Sequence, residues 1–211
     1  MNSAFASDRR LVLASDNKGK LAELRALLAP TRIELVSQGE LGIAAAEEPH
    51  ATFLENALAK ARHVAAASGL PALADDSGLC CRALGGAPGV QSARYAASDP
   101  SVHASDADNN ALLLRRLAGV RDRAAHYACW IVALRAAGDP EPLLAQGRWE
   151  GEIVDEPRGG NGFGYDPYFW LAQLQCTAAQ LSPERKNAMS HRGIAMRAMV
   201  LQMLERWSWS N

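Results

Sequence analysis

Between residues 10 and 76 the hydrophobic pattern alternates between the period of a strand and the period of a helix, and this restricts the fold more than any other feature. The segment RLVLAS (10–15) is a short leucine and valine run that stops at the turn-forming DNKG. After it, KLAELRALLA places Leu21, Leu24, Leu27 and Leu28 on one helical face until Pro30 ends the helix. IELVSQ (33–38) predicts a second strand. TFLENALAKARHVAAASG (52–69) predicts a long helix with Phe53, Ala57, Ala61, Val64 and Ala65 inward and Gly69 as its C-cap. PALA then reads as a buried strand that ends on two adjacent acids, Asp75 and Asp76. A βαβαβ opening of this kind calls for an α/β fold, with helices over a sheet and ligands at the strand ends.

The pattern changes after the acids. Residues 85–100 are rich in Gly, Ala, Ser and Pro and predict an ordered loop, followed by a helix at roughly 104–118. AAHYACWIVALRAAG and LLAQGRWEGEIVDEP then alternate as an antiparallel pair would. No repeat or low-complexity linker separates the halves, so the 211 residues read as a single domain of two lobes. One lobe takes approximately 10–84 and 160–207; the other, approximately 85–159, is the antiparallel extension.

With 22 Lys+Arg against 23 Asp+Glu there is no broad basic field for a nucleic-acid polymer or an anionic membrane. Residues 1–10 lack the apolar core of a cleavable signal, and LVLA is too short to span a bilayer, which points to the cytoplasm. Cys80, Cys81, Cys129 and Cys176 form no C-x-x-C pair and read as small hydrophobes in a reducing compartment. His50, His63, His103 and His126 sit at no ligand spacing. Trp130, Trp149 and Trp170 read as core or dimer-interface residues, with Trp207 and Trp209 near a terminal helix end.

Four stretches carry the chemistry. Successive side chains of a strand point to opposite faces, so Asp75 and Asp76 cannot both address one ligand from an ideal strand unless the chain turns there; either one works and the other supports, or both merely accept backbone hydrogen bonds in a strand-end turn. In ASDNKGK, residues 14–20, a strand breaks into a short loop and opens a helix whose N–H groups suit a phosphate, with Lys18 and Lys20 adding charge. It is not a Walker A loop, because Leu21 stands where the hydroxyl residue would be. GNGFGYDPYF (160–169) sets three glycines around Phe163, Tyr165 and Asp166, so that the backbone can approach a ligand while a ring offers a stacking face. ERKNAMSHRG (184–193) holds Lys186, His191 and Arg192. On one helix Lys186 and His191 would diverge by roughly 140°, so Ser190 is read as the N-cap of a new helix with Met196, Met199, Val200, Met203 and Trp207 facing the core.

LASDNKGKLAEL, the acids Glu47 and Glu48 before TFLENALAKA, ADDSGL, LGGAPGVQSARY, FGYDPYF and KNAMSHRG together resemble the non-canonical purine nucleoside triphosphate pyrophosphatases, the inosine/xanthosine triphosphatase family. The matching motifs run in order from residue 11 to about 200, and the set is far more specific than any member of it. The resemblance implies an elongated mixed β-sheet flanked by helices, two lobes around a central cleft, and a homodimer using Mg²⁺. It implies cleavage of ITP, dITP and XTP to the monophosphate and pyrophosphate. Ser15, Asp16, Asn17, Lys18, Gly19 and Lys20 would form the phosphate-side loop, and Asp76 would be both proton acceptor and metal carboxylate. Ser77, Phe163, Gly164, Tyr165, Asp166, Lys186, His191 and Arg192 would contact the nucleotide, and Glu47 or Glu48 would complete the metal site. Asp16 stands where members often carry glycine or a neutral polar residue and is expected to face solvent.

Mg²⁺ takes one or two protein carboxylates beside phosphate oxygens and water, so no histidine or cysteine cage is required. Hypoxanthine and xanthine carry a 6-keto acceptor where adenine has an amino donor, so donors from Arg192 or the loop backbone would favour the former. A septum-inhibitor type pyrophosphatase acting on modified pyrimidines is disfavoured by SHR together with FGYDP, and a kinase by the missing P-loop. A non-catalytic nucleotide binder would have no need of Asp76.

Overall fold

A computed structural model describes residues 9–99 and 104–207; the expectations for residues 1–8, His103 and Trp209 fall outside them. The predicted opening is present. Strand β1 (Arg10–Leu13), helix α1 (Lys18–Leu28), strand β2 (Glu34–Ser37), helix α2 (Phe53–Ser68) and strand β3 (Ala72–Cys81) follow one another. Leu24 and Leu28 supply the buried face of α1, and Thr52 caps the start of α2 by accepting from the Glu55 amide. Gly69 closes α2 in the left-handed region, as its position predicted. Helix α3 (Asp106–Leu117), strands β4 (Ala124–Leu134), β5 (Leu143–Ile153), β6 (Phe169–Leu171) and β7 (Cys176–Thr177), and helices α4 (Pro183–Met189) and α5 (His191–Arg206) complete the chain.

The strands form one seven-stranded sheet in the order β2-β1-β3-β4-β5-β6-β7. β1 is parallel to both β2 and β3, with Val12 opposite Val36 on one side and Ala72 on the other. Because the chain order reverses at β1, right-handed crossovers place α1 and α2 on opposite faces of the sheet. The Ile153 amide at the end of β5 donates to the Arg123 carbonyl just before β4, so that pair is antiparallel, as are β5–β6 and β6–β7. β6 and β7 were not foreseen, since strands this short leave no period to read.

β3 departs from expectation. It does not end at the two acids but runs through them to Cys81. Leu79 and Cys81 beyond the acids are buried, and that apolar burial carries the strand onward.

Two compact units divide the chain. The first comprises the described residues up to Asp76, Trp130–Gln146 and the residues from Ala195 onward; the second comprises Ser77–Cys129 and Gly147–Ile194. The core of the first packs Ala57, Ala61, Val64 and Ala65 of α2 on Val12, Ala72, Ala74, Val132 and Leu134. That of the second gathers Leu79, Leu113, Leu117, Tyr127, Trp149, Tyr165 and Phe169. Trp149 belongs to that core, whereas Trp130, Trp170 and Trp207 are half-buried.

The predicted break before His191 is present. Ser190 is extended (φ −69°, ψ 161°) between α4 and α5, and its Oγ accepts from the Gly193 amide at 3.2 Å. The stem of the glycine-rich loop is anchored by Asn161, whose amide donates to the Ala179 carbonyl and whose Nδ2 donates to the Leu181 carbonyl, each at 3.0 Å. Gly159 precedes it at φ +82°, where a Cβ would stand 2.6 Å from the Gln180 nitrogen and collide with the Ala179 carbonyl. Gly159→Ala is therefore expected to lower unfolding stability by about 2–4 kcal/mol in urea titration. Gly160→Ala, with nothing within 4 Å of its Cβ, should stay within about 0.5 kcal/mol of the parent.

Candidate functional site

The adjacent acids are resolved by alternation. Asp75 and Asp76 are 0% and 6% exposed, point to opposite faces of β3, and each meets a lysine from a different helix. Lys20 of α1 places Nζ 3.1 Å from Asp75 Oδ2, and Lys60 of α2 places Nζ 3.1 Å from Asp76 Oδ1. Lys60 also donates to Glu48 Oε1 at 2.7 Å, so one ammonium joins two carboxylates, while Asn56 Nδ2 donates to Asp76 Oδ2 at 3.3 Å. Glu48 joins Asp76 through Lys60, and Glu47 is exposed outside the set.

Burial pushes the Asp76 carboxyl above its ordinary value against the pull of Lys60 and Lys20, and nearby Glu48 adds to the rise. Burial works against the Lys60 charge as well, but Asp76, Glu48 and Asp75 outweigh it and hold the ammonium above the usual lysine value.

The loop before α1 is held as an N-cap. Asn17 Oδ1 accepts from the Lys20 amide at 3.0 Å, and Ser15 Oγ accepts from the Asn17 amide at 3.2 Å. Lys18 is exposed and Gly19 half-buried at the helix start. Asp16 is exposed, as expected, yet its carboxylate is tied back: Oδ2 accepts from Gln38 Nε2 at 2.8 Å and Oδ1 from the Gly39 amide at 2.9 Å. Its charge is thus spent at the end of β2.

A second cluster lies in the other unit, around Asp166. Its Oδ2 accepts from Lys186 Nζ at 2.6 Å and from the Phe163 amide at 3.0 Å, and its Oδ1 from the Tyr127 hydroxyl at 3.2 Å. Burial and the Asp166 charge hold the Tyr127 phenol far above its ordinary value, so it serves as a donor. The Phe163 ring carries the Lys186 ammonium 4.8 Å and the Arg192 guanidinium 5.8 Å from its centroid. Arg192 Nη2 donates to Ser77 Oγ at 2.8 Å, and His191 stacks on Tyr127 with centroids 4.6 Å apart. Tyr165 is turned inward, its hydroxyl bonded to the Ser92 carbonyl at 2.8 Å.

Asn56, Lys60 and Tyr127 were not anticipated. Asn56 and Lys60 fall one turn apart beside Ala57, Ala61 and Val64, and two long polar side chains on an otherwise alanine and valine stripe are the signal that could have found them. Tyr127 gave none, because an aromatic on a buried strand face reads as core. Of the histidines, His50 and His63 are exposed and His126 half-buried, in keeping with their bland reading. None of the cysteines forms a disulfide; Cys81 and Cys129 are buried, Cys80 and Cys176 half-buried. Burial pushes the Cys81 thiol up to about 12, far from a reactive thiolate. Among the described residues no three His, Cys, Asp or Glu side chains cluster as a metal cage, and no helix is long and apolar enough to cross a membrane.

Comparison with known proteins gives a consistent result. Residues 11–202 match the model of the Ham1 family. The chain is 62% identical over 194 residues to a dITP/XTP pyrophosphatase of Ralstonia nicotianae, covering 91% of this chain and 95% of that protein. It is 58% identical over 203 residues to one of Burkholderia pseudomallei, covering 96% and 97%. Among solved structures, a HAM1 protein from Coxiella burnetii superposes with a TM-score of 0.84 at 47% identity, covering 93% of this chain and 98% of that one. A nucleoside-triphosphatase / dITP/XTP pyrophosphatase from Mycobacterium abscessus superposes at 0.69 and 41% identity, covering 90% and 98%.

Removing the Lys60 ammonium leaves Glu48 and Asp76 facing each other without their shared cation. Lys60→Met is expected to cost about 3–5 kcal/mol of stability at neutral pH. It should also move the Asp76 titration to still higher pH, because the ammonium is what opposes burial there. Carboxyl carbon NMR of the two proteins across pH reads this shift, and an unmoved or lowered Asp76 midpoint would refute it.

Proposed function

This chain belongs to the Ham1 family and is a nucleoside triphosphate pyrophosphatase of non-canonical purines, and from that premise we propose that it cleaves ITP, dITP and XTP to the monophosphate and pyrophosphate with Mg²⁺. The observation that carries the reading is the pairing of buried Asp76 and half-buried Glu48 on one ammonium. The donor set fits the ion. Two hard carboxylate oxygens are brought together on one ammonium at 3.1 and 2.7 Å, and Mg²⁺ asks for no more than one or two protein carboxylates. Bound by Asp76 and Glu48, the ion would neutralise phosphate oxygens and the departing pyrophosphate.

Asp76 is the proton acceptor. Asn56 and Lys60 fix both of its oxygens, and the bound ion would keep the carboxylate ionised and so able to take a proton from water. For a buried acid with a raised pKa, the stability linked to it is present below the ordinary value of 3.8 and lost as pH rises through the folded value; the ionised base therefore costs the fold something. Lys18 at the start of α1 and Lys20 beneath it place positive charge where phosphate oxygens meet helix N–H groups. Asp75 supports by holding Lys20.

The purine falls to the Asp166 cluster. Phe163 offers the stacking face, and Lys186 and Arg192 bring positive charge to its ring. The Phe163 and Gly164 amides are already taken by Asp166 and Asp106, so the donor for the 6-keto oxygen is the Arg192 guanidinium rather than the loop backbone. Ser77, Tyr165 and His191 shape this cluster through Arg192, Ser92 and Tyr127. The enzyme works as a cytoplasmic homodimer, a reading supported by the family resemblance.

Purified protein with ITP and Mg²⁺ is expected to release IMP and pyrophosphate, with no inorganic phosphate from a pyrophosphatase-free preparation. A chelator should abolish turnover and added Mg²⁺ restore it. Asp76→Asn should lower kcat by about 10²- to 10⁴-fold. Equal kcat/KM for ITP and ATP would defeat the donor argument, and unchanged turnover in Asp76→Asn would defeat the assignment of the base.

A further inference from the structure

We infer that Asp106 and Asn110, one turn apart at the start of α3, are positioning residues that clamp the Phe163–Gly164 segment and so set the purine-stacking ring before substrate arrives. The inference deepens the reading above and rests on the nucleotide role of Phe163.

Both backbone polar groups of Gly164 are held by one helix face. The Gly164 amide donates to Asp106 Oδ2 at 2.7 Å, and the Gly164 carbonyl accepts from Asn110 Nδ2 at 2.9 Å. Residues four apart on a helix lie on the same side, which is why a single turn can grip a single residue. The two grips are themselves connected, because Asn110 Nδ2 also donates to the Asp106 carbonyl at 2.7 Å. On the preceding residue the Phe163 amide is fixed by Asp166 at 3.0 Å. Phe163 is therefore pinned on both sides while its ring carries Lys186 and Arg192.

Three further observations separate a clamp from ordinary helix packing. Gly164 stands at φ +64° with nothing within 4 Å of a Cβ, so backbone conformation rather than crowding requires glycine there. Asn110 is 6% exposed and its Oδ1 is buried without a hydrogen-bond partner, a cost that a leucine of similar size would avoid; its amide is kept for what its donors reach. Asp106 is not needed to start the helix, because Ser105 already caps α3 by accepting from the Asp108 amide at 3.1 Å. A glycine-rich loop has much conformational freedom to lose, and ordering it in advance removes that loss from the binding step.

The experiment measures KM and kcat for ITP with Mg²⁺ in five variants. Asp106→Ala and Asn110→Ala are expected to raise KM about tenfold, with kcat within about twofold of the parent, as fits the loss of one such bond in a binding step. Asp106→Asn keeps an acceptor for the Gly164 amide and should return KM to within about twofold. Ser105→Ala weakens the same helix start without touching Gly164 and should leave KM unchanged. Phe163→Ala should raise KM at least as far as the clamp variants. If Phe163→Ala raises KM but Asp106→Ala and Asn110→Ala do not, or if Ser105→Ala raises it equally, the clamp is overturned. If Phe163→Ala leaves KM unchanged, the nucleotide role of the loop fails, and the clamp falls with it.

Discussion

A strand that carries two buried carboxylates at successive positions is tenable only if a cation reaches each face of the sheet. That constraint organises the first unit. Because β2 and β3 flank β1, α1 and α2 lie on opposite faces, and each presents a lysine at the level of β3: Lys20 to Asp75, Lys60 to Asp76. The chain reversal at β1 and the spacing of Lys60 on the buried stripe of α2 are thus parts of one solution. The two acids differ in consequence. Asp75 has one lysine and no exposure, which suits a strut, whereas Asp76 shares its lysine with Glu48 and accepts from Asn56, which leaves charge to engage something else.

The second unit repeats the device with a different end. Asp166 gathers a lysine, a phenol and a backbone amide, and what it fixes is an aromatic ring. In both clusters a buried carboxylate is met by an ammonium and by neutral donors, and in the first Glu48 shares that ammonium with Asp76. Their chemistry diverges through what surrounds the carboxylate. A second acid beside Asp76 raises its proton affinity. Around Asp166 the neighbours are the Tyr127 phenol and the Phe163 ring with its cations.

Much of this was legible in the residues. Strand and helix periods gave the βαβαβ opening, the Gly69 cap was placed by its position after Ser68, and the divergence of Lys186 from His191 required the break that Ser190 makes. What escaped was of two kinds. The run of β3 past Asp76 was hidden because adjacent acids read as a turn when the lysines that neutralise them are distant in sequence. Lys60, Asn56, Asp106 and Asn110 were passed over because helical polar residues are solvated by default; only their place on a buried face or against Gly164 sets them apart. The choice between Glu47 and Glu48 could not be made from spacing, since an irregular segment offers no period to say which of two neighbours turns inward.

Buried ion pairs are a poor way to make a fold stable. Apolar side chains of the same volume would often serve as well or better, since desolvating a carboxylate and an ammonium costs about as much as their attraction returns. The first unit nevertheless keeps Asp75, Asp76 and Lys60 buried and Lys20 half-buried, beside a core rich in alanine and valine. Burial also raises Asp76, so ionising it draws on the stability of the fold. Lys20 and Lys60 reduce that cost without cancelling it. An arrangement that taxes the native state and is compensated only in part is understandable where the ionised carboxylate has work to do, and in this strand Asp76 is the residue on which the cost falls.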